Sequence, residues 1–174
     1  ISNNMGKSCL NKLSGNITVG CTIPQIGVKD IYLMHAEDVT LTSAGPVVSA
    51  VSFASGAKSY KVEGYKQNLQ YTASLKTTDA SARLNTSVTF KMPANGAMMS
   101  TLATGRFYVM VQYAQSSAAI VGVQCPLECS AMDFDSNANA ALVTVTLSDP
   151  EGSAGNAYVV CYNAVRDSII LKSV

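Results

Sequence analysis

The residues able to do chemistry in this chain are few, and their spacing keeps them apart. The single histidine, His35, stands near Glu37 and Asp38. An imidazole beside carboxylates is the raw material of an oriented general base or a metal trio. On a strand, successive side chains point to opposite faces, so Glu37 shares His35's side and Asp38 does not. One His with one carboxylate is an incomplete site, and the expected role of His35 is in a loop or interface. Five cysteines, Cys9, Cys21, Cys125, Cys129 and Cys161, are scattered and odd in number. Structural zinc needs about four Cys or His ligands in close pairs, and only Cys125 and Cys129 come near that spacing. On a strand those two face one side about 13 Å apart, too far for a disulfide unless Pro126 breaks the strand. The cysteines therefore read as small buried hydrophobes with free thiols, in a protein made in a reducing cytoplasm.

Other motifs stop short of a site. Asp133 and Asp135 flank Phe134 as at the start of a calcium loop, but the required glycine and distal Glu are missing. Gly152-Ser153-Ala154-Gly155 lacks the lysine and helix of a phosphate-binding loop, and no G-x-S-x-G elbow occurs. The triplets Asn16-Ile17-Thr18 and Asn85-Thr86-Ser87 match a glycosylation sequon and are read as chance. No catalytic, cofactor-binding or metal-ligating residue is assigned. The expectation is a protein that is not an enzyme and takes no cofactor.

The elements that would position any site have a period of two. Strands are expected at Val28–Met34, Val39–Leu41, Val47–Ala54, Tyr60–Gly64 and Leu69–Leu75. Of these, the mostly apolar run Val47–Ala54 is expected to be buried on both faces. After a polar break over Thr77–Arg83, Leu84–Met92 alternates again. The one helix expected is Pro93–Thr104, opened by Pro93 and Asn95 and closed by Gly105, with Met98, Met99 and Leu102 at helix spacing. Further strands follow at Phe107–Tyr113, Ile120–Gln124, Glu128–Phe134, Ala141–Leu147 and Tyr158–Tyr162. This is an all-β chain, an antiparallel sandwich or barrel with one short helix and a long hairpin. Residues 1–20 read as a loosely ordered arm and 21–174 as a single β domain.

The hairpin is expected to serve assembly rather than the core. One face carries Leu69, Tyr71, Leu75, Val88 and Phe90, while the tip has no large apolar anchor. A two-stranded hairpin alone is marginal in water and needs further strands or a neighbouring subunit. Composition points the same way. Of 174 residues, 48% are hydrophobic and only 13% charged, about half the usual share of charge, so much of the surface must be neutral or covered. With 12 basic and 11 acidic residues and no basic run, the chain lacks the clustered cations of a nucleic-acid binder. No stretch approaches the roughly 20 apolar residues of a membrane span. Ile1–Leu10 lacks the order of a signal peptide, and the missing initial Met leaves a processed start open.

The segment Cys21–Asp38 (CTIPQIGVKDIYLMHAED) resembles the opening of small structural proteins of tailed bacteriophages. The hairpin pairing Gln67–Lys76 with Leu84–Met92, the short helix, Gly105-Arg106 and the strand Phe107–Tyr113 follow in an order similar to the phage tail-tube family. The similarity is one of architecture and rhythm over residues 21–165. It implies a virion protein assembled in the bacterial cytoplasm, whose copies form rings, six-fold in that family, that stack into a tube. Its partners would be copies of itself, other virion proteins and DNA in passage, with the hairpin lining the channel. Lumens in that family are often acidic, whereas this hairpin carries Lys66, Lys76, Arg83 and Lys91 against Asp79. The alternatives are an auxiliary, decoration or connector protein of the phage head, and a bacterial surface β-sandwich binding module.

Overall fold

Two stretches of sequence, Ile31-Tyr32-Leu33-Met34 and Phe107–Val111, are apolar at consecutive rather than alternate positions. Such runs suit strands covered on both faces. The computed structural model describes residues 15–16, 27–63, 69–76, 83–113, 117–134, 136–137, 142–151, 153 and 155–173. In it these runs form β1 (Val28–His35) and β7 (Arg106–Tyr113), paired antiparallel from Val28↔Tyr113 to His35↔Phe107. Ile31, Leu33, Phe107, Val109 and Val111 point into one core, and Tyr32, Met34 and Met110 into a second.

The first core is closed by four strands: β5 (Gln70–Lys76), β6 (Arg83–Pro93), β9 (Leu127–Phe134) and β10 (Leu142–Ser148). Val88, Phe90, Val143, Val145 and Leu147 line its inner face, with Leu102 added from helix α1 (Gly96–Thr104). The second core is covered by β2 (Val39–Ala44), β3 (Val47–Phe53), β8 (Ala118–Val121) and helix α2 (Asn163–Leu171). There Val39, Val48, Ile120, Val165 and Ile169 meet. With β4 (Tyr60–Glu63) and β11 (Val160–Cys161), eleven strands join in the order β2-β3-β11-β8-β7-β9-β10-β6-β5, and β1 then β4 branch from β7. The protein is all-β and sandwich-like, but the sheet does not close into a barrel and β11 runs parallel to β3.

The fork lies along β7, which pairs with β8 through Val109–Gln112 and with β9 through Arg106 and Phe107. Gly122 makes the corner between β8 and β9. Its φ is +94°, and a Cβ there would sit 3.2 Å from the Phe107 carbonyl oxygen, so glycine alone fits.

Several local expectations shift. Two-sided burial falls on β1 and β7 rather than on Val47–Ala54, of which only Val48 is buried. The strand expected at Ile120–Gln124 stops at Val121, where Gly122 turns the chain, and that expected at Tyr158–Tyr162 shrinks to Val160–Cys161. Pro93 remains in β6, and α1 begins at Gly96 under Asn95, whose side-chain oxygen accepts from the Ala97 and Met98 N–H groups. Helix α2 was not expected. Its N-cap, Tyr162, makes no side-chain cap bond, and its β-branched Val165, Ile169 and Ile170 favour strand by propensity. Burial of Val165 and Ile169 in the second core holds it helical. The arm 1–20, except residues 15–16, and the hairpin tip 77–82 lie outside the described residues.

A polar knot joins the two wings. Asp149 accepts from the Thr86 N–H (2.9 Å) and hydroxyl (2.7 Å) on β6. The Asn156 amide donates to Asp149 and to the Cys125 carbonyl (3.0 Å), and its oxygen accepts from the Gln124 and Cys125 N–H groups. Thr86 is fully buried and Asn156 nearly so, so every member depends on the others for satisfaction. Asn156→Ala should lower unfolding stability by about 3 kcal/mol, since each stranded buried group costs about 1–3 kcal/mol. Urea denaturation would read this as a lower midpoint at unchanged slope.

Candidate functional site

A cleft of about 770 Å³ lies where the first core opens to the surface. Leu33, Phe90, Met92, Leu102 and Phe107 make its floor, and Tyr60, Lys61 and Glu63 of β4 form one rim. Met98 and Thr101 of α1 form the other. Met98 is 59% exposed, a large apolar side chain held at the mouth.

His35 belongs to this cleft, as an aromatic wall. Its ring lies 5.0 Å from Phe107 and edge-on to Tyr60 at 5.9 Å. Glu37 and Asp38 sit in a 3₁₀ turn, Ala36–Asp38, and are exposed. The expected sharing of a face by His35 and Glu37 fails because the strand ends at His35. Among the described residues, no group of three or more His, Cys, Asp or Glu side chains converges as a metal site would require.

The hairpin residues divide. Leu69, Val88 and Phe90 are buried in the first core, Tyr71 is half-buried against it, and Leu75 is 64% exposed. The inner half of the hairpin therefore packs into the first core. Register explains the split. Tyr71 pairs with Val88, whereas Leu75 pairs with Leu84, beyond Thr86 where the core ends. The outer face is hydroxyl-rich, with Thr72 and Ser87 bonded at 2.6 Å and Thr89 3.5 Å from Thr146 on β10.

The ends of the strand order are β2 and β5, each paired on one side only among the described residues. β2 (VTLTSA) carries no charge, and β5 (QYTASLK) carries Lys76 alone. Edges are usually guarded by charge, proline or a cover. β2 has only a register irregularity between Thr42 and Ser43.

At the other end of β7, Tyr113 and Tyr158 share a hydroxyl hydrogen bond of 3.1 Å, and Tyr71 meets the Tyr158 ring edge-on. Burial first, then Tyr158 and Asp149, pushes the Tyr71 phenol up from 10.0 to about 12. Burial and the Tyr158 hydrogen bond push Tyr113 up as well. Cys125, Cys129 and Cys161 are free thiols. Burial raises Cys129, against a smaller opposing contact with the Ala131 carbonyl, and raises Cys161 from 9.0 to about 11 against the nearby Arg166. Cys9 and Cys21 lie outside the described residues.

The chain matches no family model, no curated protein and no solved structure.

The two sets of shifts have separate readouts. Because Tyr71 binds its proton more tightly when folded, its contribution is full below pH 10.0 and is lost as pH rises through about 12. Alkaline unfolding followed by circular dichroism and phenolate absorbance should steepen in that window, and Tyr71→Phe should flatten it. At pH 8, Cys161 should alkylate on the order of 100-fold more slowly than an unshifted thiol, because the thiolate is the nucleophile. Peptide mass spectrometry after timed iodoacetamide treatment measures that ratio.

Proposed function

We propose that this chain is a non-enzymatic structural subunit that assembles side by side with copies of itself into rings. The reading extends to a virion component of the phage tail-tube type, built in the bacterial cytoplasm with other virion proteins. The observation that carries it is the pair of edges β2, which is uncharged, and β5, which carries only Lys76, at opposite ends of one sheet and each with one strand partner among the described residues. Pairing β5 of one copy with β2 of the next buries both ladders and repeats head to tail. Such heterologous contacts close into a ring when the rotation per subunit allows, and otherwise extend as a filament. Ring closure removes the free edges that make an isolated sheet prone to aggregation.

Other features support the reading. The charged fraction of 13% suits a chain whose surface is partly covered by neighbours. Hydroxyls also dominate the outer face of β5, β6 and β10, a polar surface that suits a wet channel wall.

Purified protein should sediment well above its 18.2 kDa monomer mass and show closed rings or tubes by negative-stain microscopy. Thr42→Lys on β2 or Ser74→Lys on β5, both at exposed positions, should leave the circular dichroism unchanged and abolish the rings. A wild-type chain that stays monomeric up to the highest soluble concentration would remove the basis for this function, as would charged-edge variants that assemble normally.

A further inference from the structure

The polar knot between the wings is assembled like a reaction site. Thr86 on β6 donates its hydroxyl to Asp149 Oδ1 at 2.7 Å, which sets a nucleophile beside a general base. The Asn156 side-chain amide donates to the same Oδ1 and to the Cys125 carbonyl. Its own carbonyl oxygen accepts from the Gln124 and Cys125 backbone N–H groups, at 3.2 and 2.9 Å. Two converging N–H donors polarise an amide carbonyl and hold the negative charge that grows on its oxygen when a nucleophile adds to the carbon. Thr86 is fully buried and Asn156 is 3% exposed, so bulk water is kept from both. Nucleophile, base, electrophilic carbon and oxyanion donors thus meet in one secluded cluster. They come from β6, the segment between β8 and β9, and the segment between β10 and β11.

We propose that Thr86 and Asn156 become joined by an ester bond in the folded chain. Asp149 Oδ1 takes the hydroxyl proton as Thr86 Oγ1 adds to Asn156 Cγ. The tetrahedral carbon then expels Nδ2, to which the same Oδ1 returns the proton, and the nitrogen leaves as ammonia. One C–O bond forms and one C–N bond breaks. Nothing is oxidised or reduced, and Asp149 ends as the carboxylate it began as. The shared acceptor keeps the hydroxyl oxygen and the amide nitrogen within two hydrogen-bond lengths, about 6 Å at most. Attack requires the oxygen to come within roughly 3 Å of the carbon, and an amide is a poor electrophile. The ester therefore accumulates slowly, and freshly purified chain holds the hydrogen-bonded knot. Exclusion of water then protects the ester from hydrolysis, while ammonia is lost to solvent. The step uses only this chain's own residues and is independent of its assembly.

The test compares the full chain fresh from purification with the same chain held for a fortnight at neutral pH. After denaturation in reductant, intact-mass spectrometry should find an aged population lighter by one ammonia. Protease digestion should then yield a species in which the Thr86 peptide is joined to the Asn156 peptide. Ring closure at Asn95-Gly96 also releases ammonia, but it joins no peptides, so the joined species is the readout. Mild alkali should split it, restoring Thr86 and leaving a carboxylate side chain at position 156. Thr86→Ser keeps the hydroxyl and should still link, whereas Thr86→Val should not. Asp149→Asn should slow linking about 100-fold, a usual contribution of a general base. Aged wild type without the joined peptide overturns the inference, and so does a joined species that forms equally fast in urea. An Asp149→Asn chain with unchanged circular dichroism that links at the wild-type rate overturns it too. The wild-type arms decide the bond even where a variant does not fold.

Discussion

Everything in this structure hangs on the antiparallel pair β1 and β7, which is buried on both faces. Most strands in a sandwich spend one face on solvent; the central stretches of these two, Ile31–Met34 and Val109–Gln112, are buried throughout, and their apolar side chains feed two cores at once. The cost is a rigid composition rule, since Ile31 to Met34 and Phe107 to Val111 must all be apolar. Burying a Leu, Ile or Met side chain contributes roughly 1.5–3 kcal/mol, so this pair concentrates stabilising free energy in a few consecutive residues. It also lets one sheet serve two layers, because β8 and β9 can both dock on the same edge of β7 at different heights.

That arrangement decides where polar groups can go. A fork leaves backbone N–H and C=O groups at the crotch without ladder partners, and Asn156 supplies both a donor and acceptors to the Gln124–Cys125 stretch there. Asp149 continues the connection to Thr86 on the opposite wing. Beyond Thr86, Leu75 of the hairpin is exposed to solvent. The cleft and the strand edges β2 and β5 thus share one origin: a sheet that branches cannot also close.

The period-two pattern made most strands legible, and the helix at Met98–Leu102 was marked by Asn95 before it and Gly105 after it. What could not be read was anything created by distant partners. Val47–Ala54 looks as apolar as β1, yet it lies near an edge, because neighbours and not composition decide how many faces are covered. Helix α2 hides behind β-branched residues that only the second core makes helical. The cleft draws His35, Tyr60, Phe90, Met98 and Phe107 from five separate elements. His35 drew notice for its imidazole's acid–base capacity, while its contacts are those of an aromatic ring.

The strand β11 has a mechanical meaning. Two register pairs tie it to β3 and one ties it to β8, whereas β1 and β7 share seven. The wing of β2 and β3 is therefore joined to the body by a narrow backbone seam, about as short as the two-pair joint of β7 with β9. Side-chain packing of β3 and α2 around Val48, Val165 and Ile169 carries the remainder. Apolar packing resists separation but is non-directional, so it tolerates small rotations that a long ladder would forbid. In a sheet continued through β2 from one copy to the next, that seam is the compliant joint. In the proposed assembly it would let neighbouring subunits adopt slightly different angles while the doubly buried pair stays stiff.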